Sequence, residues 1–142
     1  MAWTTPTPAE LAADWIASRR RNADDTSGSW AQFLLMDFPE QEPDLTWDTI
    51  KLVVEAYPGP DFYAAAETEA QVVCGVLAAG PLEDLLCFHG HRFIERLEDE
   101  ARCDPRMAWM LGGTWQSQML DEIWKRVQLA ADYSYWNRRA QP

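Results

Sequence analysis

Proline and glycine limit this chain to short helices. Pro8, Pro81 and Pro105 stand where helices would begin, while Pro58-Gly59-Pro60 and Gly112-Gly113 stand where helices would end. Proline has no backbone N–H and is tolerated in the first turn of a helix, whereas glycine is favoured just beyond its last turn. The sequence therefore predicts helices of about 8–18 residues joined by short turns.

Apolar residues recur at three- and four-residue spacing between these interruptions. Trp47, Ile50, Val53, Val54 and Tyr57 form one such series, and no stretch shows the apolar–polar alternation of a strand. We therefore expect a single all-α domain over 1–142, with about eight short helices packed as an orthogonal bundle or as a HEAT-like stack of helical hairpins. The predicted helices cover about 8–21, 29–38, 45–57, 61–79, 80–86, 90–102, 104–112 and 117–133.

The start of the first helix is the clearest of these signals. Thr7 is placed as the N-cap, Pro8 as the first helical residue, and Glu10 as the third. A threonine followed three residues later by glutamate predicts a capping box, in which each side chain bonds to the main-chain N–H of the other residue.

Tryptophan is unusually frequent, with eight in 142 residues, 47% of which are apolar. A chain of this length can bury a substantial core, and large aromatic side chains fill cores first. We therefore interpret Trp109, Trp115, Trp124 and Trp136 as core residues. Surplus aromatic residues are also common at interfaces, so self-association as a homo-oligomer stays open.

The charge of the chain is strongly negative, with a net value of −11. Between residues 37 and 69 nine acids face a single base, Lys51. Such a surface repels phosphates, so we expect no direct binding to nucleic acid or to an anionic membrane. It attracts a basic protein instead, although acidity also serves solubility alone. The predicted partner-binding residues are Asp37, Glu40, Glu42, Asp44, Trp47, Asp48, Glu55, Tyr57, Asp61 and Tyr63, with Trp30 beside them.

The sequence lacks targeting signals. Its first residues have neither the basic start nor the apolar core of a signal peptide, and no run approaches 18 apolar residues. Three cysteines favour free thiols over a disulfide framework. We expect a cytoplasmic protein.

Cys87, His89 and His91 lie within five positions and raise the question of a metal site. On a continuous helix Cys87 and His91 share a face, whereas His89 points to the opposite side because each residue turns the helix by 100°. Adding Cys74 and Cys103 gives five donors without a zinc-type spacing. We therefore expect no metal and no cofactor, and the acids around Cys103 argue against a reactive thiolate.

Glu83, Asp84 and His89 allow two interpretations. The two carboxylates lie in a first helical turn, and His89 lies at the next helix junction. A carboxylate–imidazole pair can transfer protons as an acid and a base, but it also serves as a structural latch between helices. We expect the latch, with an acid/base pair as the alternative.

Residues 80–127 carry a more specific pattern. The stretches GPLEDLLCFHG, RFIERLEDEARCDPRM, LGGTW and DEIWKRV resemble a family of small bacterial proteins known only as a domain of unknown function. The resemblance implies no activity. It implies which residues are typical of the family: Gly80, Pro81, Glu83, Asp84, His89, Gly90, Asp104, Pro105 and Trp124.

Three hypotheses for the function remain. In the first, the chain is an acidic module that inhibits or neutralises a basic partner such as a toxin, a nuclease or a nucleic-acid-binding complex. Immunity proteins and phage inhibitors of nuclease-based defence have this composition. In the second, it is a small enzyme using His89 with Glu83 or Asp84. In the third, it is a helical scaffold that self-associates through its aromatic residues.

Overall fold

The computed structural model describes residues 4–20 and 30–140, and every regular element in these ranges is helical. The all-α prediction is therefore confirmed. The helices are α1 (Pro8–Arg19), α2 (Ala31–Leu35), α3 (Phe38–Gln41), α4 (Pro43–Glu55), α5 (Gly59–Tyr63), α6 (Glu69–Leu77), α7 (Glu83–Cys103), α8 (Pro105–Gly112), α9 (Asp121–Ala130) and α10 (Ser134–Ala140).

Helix α1 begins as the sequence predicts. The Thr7 hydroxyl accepts a hydrogen bond from Glu10 N, and the Glu10 carboxylate accepts one from Thr7 N. The helix ends at Arg19 rather than Arg21, which lies outside the described residues. Its Trp15 side chain is buried and donates from Nε1 to Val73 O at 3.2 Å, which ties α1 to α6.

The second predicted helix, 29–38, is wrong in its extent. The chain forms two short helices there, and Pro39 lies in the first turn of α3 instead of ending a helix. A proline in the first turn leaves no N–H unpaired, so it starts a helix as readily as it stops one. Residue 29 lies outside the described residues.

The predicted helix 61–79 is also divided, into α5 and α6. The break ends at Thr68, whose hydroxyl accepts from Gln71 N while the Gln71 side chain accepts from Thr68 N. The Gln71 amide also donates to Phe62 O and Ala64 O, so one buried side chain holds the whole turn. A second capping box at this position outweighs the helical preference of the alanines.

Gly80 and Pro81 do not separate two helices, contrary to the prediction. Residues 78–82 form a π-helical turn that carries the chain from α6 directly into α7. The wider turn accommodates the missing N–H of Pro81. A Cβ at Gly80 would lie 2.9 Å from Leu35 Cδ2, so glycine lets α2 pack closely here without moving the end of the Leu35 side chain.

Helix α7 passes through the His89-Gly90 pair with a kink. The non-helical residue is His89, with φ −135° and ψ 35°, rather than the glycine. Gly90 is buried, and a Cβ there would lie 3.1 Å from two carbons of Ile123. The predicted break between two helices is therefore present, but His89 forms it, whereas Gly90 permits α9 to approach α7 closely.

The predicted helix 117–133 is shorter than expected, and the aromatic tail after it forms α10. Gly112 and Gly113 explain how α10 docks. A Cβ at Gly112 would lie 2.4 Å from Asp132 O, and one at Gly113 would lie 2.6 Å from a ring carbon of Trp136. The glycine pair therefore permits the chain before α10 to pack directly on the end of α8, together with the ring of Trp136 from α10 itself.

The helices pack around α7, which contacts α3, α4, α8 and α9, while α1 packs mainly against α4. A stack of hairpins would join each helix mostly to its neighbours in sequence. The arrangement is therefore the irregular bundle of the two predicted architectures. Buried apolar side chains from Leu11 in α1 to Tyr135 in α10 form its core.

One helical stretch in the described part of the chain, Glu69–Cys103, is long and apolar enough to cross a membrane by length and composition. Its most apolar window has a mean hydropathy of 1.5, and 44% of that window is buried inside the protein. The stretch consists of α6, the π turn and α7, so its apolar residues supply the core of the bundle. It is weak evidence for a membrane span.

Candidate functional site

Exposed carboxylates concentrate on α3 and the first half of α4. The side chains of Asp37, Glu40, Glu42, Asp44 and Asp48 are all exposed. They come from a helix of one turn and from the outer face of the next helix, where Asp44 and Asp48 are one turn apart. We call these five residues the acidic face.

An aromatic hollow lies beside the acidic face. The ring of Trp30 lies 5.4 Å from that of Phe33 and 6.3 Å from that of Phe38, measured between centroids. The three rings line a depression of about 230 Å³ together with Asp37 and Glu42. Aromatic rings flanked by carboxylates favour a cation, since the ring faces carry negative potential.

Part of the acidic face is already paired within the fold. Arg92 of α7 donates from Nη2 to both carboxylate oxygens of Asp44, at 2.7 Å each. Asp44 is therefore partly neutralised. Lys51, the nearby base on α4, is also engaged: it donates to Glu100 of α7 at 3.0 Å, and this bond is the main cause that raises the lysine pKa.

Two predicted partner-binding residues belong to the core. Trp47 is only 5% exposed and packs on Phe93 with 5.9 Å between ring centroids. Tyr57 is 9% exposed and donates to Glu69 at 2.7 Å; burial is the larger cause of its raised pKa, followed by that bond. Neither side chain offers a surface, so both are removed from the proposed interface.

The remaining predicted residues lie away from α3. Tyr63 donates to Pro105 O at 3.1 Å and to Asp132 at 3.0 Å, and burial and the latter bond raise its pKa to about 12. Asp61 lies in the first turn of α5, where its carbonyl accepts from the Thr68 hydroxyl. Glu55 is exposed at the end of α4. The structure places these three residues beyond the acidic face.

His89 is a latch, but to a different segment from the one predicted. Its Nε2 lies 2.8 Å from Glu40 O, near the end of α3. Glu83 is engaged elsewhere, since its carboxylate accepts from Trp115 N at 2.7 Å. Burial is the main cause that raises the pKa of Glu83, and the only cause that raises that of Asp84. The hydrogen bond of the imidazole thus joins two helices, but it reaches Glu40 of α3 rather than Glu83 or Asp84, the residues expected from the sequence.

The five cysteine and histidine donors are dispersed. Cys74 is buried, which raises its pKa to about 12, Cys87 is half-buried, and Cys103 is exposed. His91 is exposed and lies 3.2 Å from Glu122. Within residues 4–20 and 30–140, no group of three or more His, Cys, Asp or Glu side chains is arranged to hold a metal ion.

Sequence reasoning missed a second candidate site, an aromatic cleft of about 590 Å³ between α6, the 112–115 turn, α9 and α10. Its walls include Trp115, Trp124 and Trp136, which the spacing assigned to the core. Trp115 is in fact 74% exposed. The available signal was Gly75, a glycine inside a predicted helix.

These features define a small all-α protein with an acidic face and a separate aromatic cleft. A family model described as a family of unknown function (DUF6869) matches residues 18–135. The chain therefore belongs to this family, and the resemblance to a domain of unknown function noted in the sequence is confirmed. Neither the curated proteins nor the solved structures contain a match.

Proposed function

We propose that this protein is a cytoplasmic binding module whose acidic face holds a basic region of a partner protein. The observation that supports the proposal is the combination of five exposed carboxylates of α3 and α4 with the aromatic hollow beside them, which residues of α2 and α3 line. Partners of this chemistry include toxins, nucleases and nucleic-acid-binding complexes, whose cationic sites bind phosphates. Covering such a site would inhibit or neutralise the partner.

The two parts of the surface have different roles in this proposal. The net charge of −11 accelerates encounter with a cationic surface over a distance of about one Debye length, roughly 8 Å at physiological salt. The hollow then receives one lysine or arginine side chain, with Asp37 and Glu42 beside it and the rings of Trp30 and Phe38 against its stem. Steering sets the association rate, and the hollow sets the residence time.

Asp44 makes a smaller contribution because Arg92 already occupies its carboxylate. A partner arginine would have to displace that bidentate contact. The carboxylates that carry the proposed interaction are therefore Asp37, Glu40, Glu42 and Asp48.

A defined basic probe tests this proposal. A short oligoarginine peptide is titrated into the labelled protein at low and at physiological salt, and the amide resonances are followed by NMR. We expect saturable shifts that concentrate on α3 and the start of α4, with affinity falling as salt rises.

A pair of charge-matched variants separates the surface from net charge alone. Asp37→Asn/Glu42→Gln removes two charges from the hollow. Glu95→Gln/Glu122→Gln removes two exposed charges that interact with Arg126 instead. We expect the first variant to bind the peptide about three- to tenfold more weakly than the second. Equal losses in both variants would contradict a localised site.

A further inference from the structure

The aromatic cleft combines flat apolar walls with a polar rim. The indole rings of Trp115, Trp124 and Trp136 line it, and so does the ring of Tyr133. Its volume of about 590 Å³ falls within the range of small-molecule sites in proteins, roughly 300–1,000 Å³. Three residues in the lining of this cleft, Tyr133, Gly75 and Trp115, have features that the packing of the fold does not require.

The first feature is the hydroxyl group of Tyr133. It is buried and has no hydrogen-bond partner among the residues that the structure describes. Burial raises the pKa of Tyr133, so the group remains a neutral O–H donor. A buried donor without an acceptor destabilises the fold, and phenylalanine would avoid that loss. Tyr133 lines the cleft, so a ligand with an acceptor atom that displaces the side chains covering this hydroxyl would satisfy it.

The second feature is Gly75 within α6. A Cβ there would meet only Trp136 Cη2 at 3.8 Å, which is an ordinary contact, so alanine would fit. Gly112 differs, because a Cβ there would collide with the main-chain oxygen of Asp132. Glycine inside a helix is less favourable than alanine. At Gly75 the missing side chain leaves space in the cleft, and no neighbouring helix needs that space to pack closely.

The third feature is Trp115 at the edge of the cleft, 74% exposed. Its position is not loose, because its main-chain N–H donates to the Glu83 carboxylate at 2.7 Å. Trp115 lines the same cleft as Trp124 and Trp136, and a contiguous aromatic surface of this kind is typical of a binding site. When local features oppose stability at one place, the usual reason is function at that place.

We propose that this cleft binds a planar, uncharged heteroaromatic molecule of nucleobase or nucleoside size. The tryptophan walls stack on a flat ring, and the Tyr133 hydroxyl donates to an acceptor nitrogen or carbonyl at its edge. The side-chain amides of Gln128 and Asn137, which also line the cleft, can both donate and accept. The site is independent of the acidic face and of the partner proposed for it.

Charge disfavours the phosphorylated forms of such a ligand. Arg139 at the rim lies 3.6 Å from the carboxylate of Glu67, so its charge is compensated. The net charge of −11 repels phosphate further. A nucleoside should therefore bind more tightly than its monophosphate.

Titration with a matched set of probes tests the proposal. The four ribonucleosides, adenosine monophosphate and indole are added separately, and the indole N–H resonances of Trp115, Trp124 and Trp136 are followed by NMR. At least one nucleoside should give saturable shifts, and the monophosphate and indole, which has no ring acceptor, should bind more weakly. If no nucleoside saturates the site, the proposal is wrong. Tighter binding of indole would also overturn it, indicating an aromatic side chain of a protein partner.

Two tyrosine variants separate ligand binding from folding. Tyr133→Phe should melt at the same temperature or higher, while its affinity for the nucleoside falls about three- to tenfold. Tyr63→Phe is the control, because that hydroxyl is bonded to Asp132 and Pro105; it should lower the melting temperature and leave affinity unchanged. A loss of stability in Tyr133→Phe equal to that in Tyr63→Phe would show a structural role and overturn the proposal.

Two substitutions at Gly75 test whether the ligand occupies the space beside this residue in the cleft. Gly75→Ala should raise the melting temperature by about 1–4 °C, because alanine favours the helix and meets only Trp136. Gly75→Leu extends a larger side chain from the same position and should weaken nucleoside binding about tenfold or more. Unchanged affinity in a folded Gly75→Leu protein would contradict this site.

Discussion

The imidazole of His89 donates a hydrogen bond from Nε2 to the main-chain oxygen of Glu40, 2.8 Å away. A carbonyl only accepts, so this nitrogen carries the proton. The bond joins the kink of α7 to the end of α3, the helix that presents the start of the acidic face. It also satisfies a carbonyl at the end of a helix, where main-chain acceptors lack intrahelical partners.

We expect His89→Ala to lower the free energy of unfolding by about 1–2 kcal/mol, since one hydrogen bond and its packing are lost. Urea unfolding followed by circular dichroism measures this. His91→Ala is the matched control, because that side chain is 67% exposed and contacts only Glu122 among its recorded partners. It should change stability by less than about 0.5 kcal/mol. Similar values for the two histidines would show that the Glu40 contact contributes little.

Local sequence signals predicted helix starts better than helix ends. The capping box at Thr7 and the Asp-Pro start at Asp104 appear as predicted, because the bonds involved lie within three residues. Gly80 and Gly90 were assigned to helix boundaries, yet each faces a side chain distant in sequence, Leu35 and Ile123. Such contacts depend on tertiary packing, which periodicity does not contain.

The same limit applies to the candidate sites. The acids of α3 and α4 were expected at the surface and are exposed there, since unpaired carboxylates are rarely buried. Trp47 and Trp115 carry the same side chain, but the first is 5% exposed and the second 74%. Composition ranks them equally. The two differ only in whether the fold turns the side chain toward the core or toward solvent.

Gly112 provides a prediction about the docking of α10. A Cβ at this position would lie 2.4 Å from the main-chain oxygen of Asp132, so the backbone would have to move. We expect Gly112→Ala to destabilise the protein by about 1–3 kcal/mol or more, and to alter the near-ultraviolet circular dichroism of the tryptophans. Gly59→Ala is the control, because nothing lies within 4 Å of its Cβ. Equal stability of the two variants would contradict the close approach.

Asp84 and Asp104 should give opposite pH dependences of stability. Burial raises the pKa of Asp84 above its ordinary 3.8, so the folded state holds its proton more tightly than the unfolded state. Its ionised form therefore opposes folding at neutral pH, and this effect disappears as pH falls through the raised pKa. We expect Asp84→Asn to be more stable than the wild type at pH about 7, with the difference shrinking at lower pH.

Asp104 is the control of opposite sign. The hydrogen bond from the Arg106 guanidinium is the main cause that holds its pKa below the ordinary 3.8. The same guanidinium donates to Tyr57 O at 2.9 Å and so joins the start of α8 to the residues after α4. The carboxylate stabilises the fold above pH about 4, and that contribution is lost as pH falls through the lowered pKa. Asp104→Asn should therefore be less stable than the wild type at pH about 7 and approach it at low pH. Urea unfolding of both variants across this pH range measures the two trends, and trends of the same sign would contradict the assigned environments.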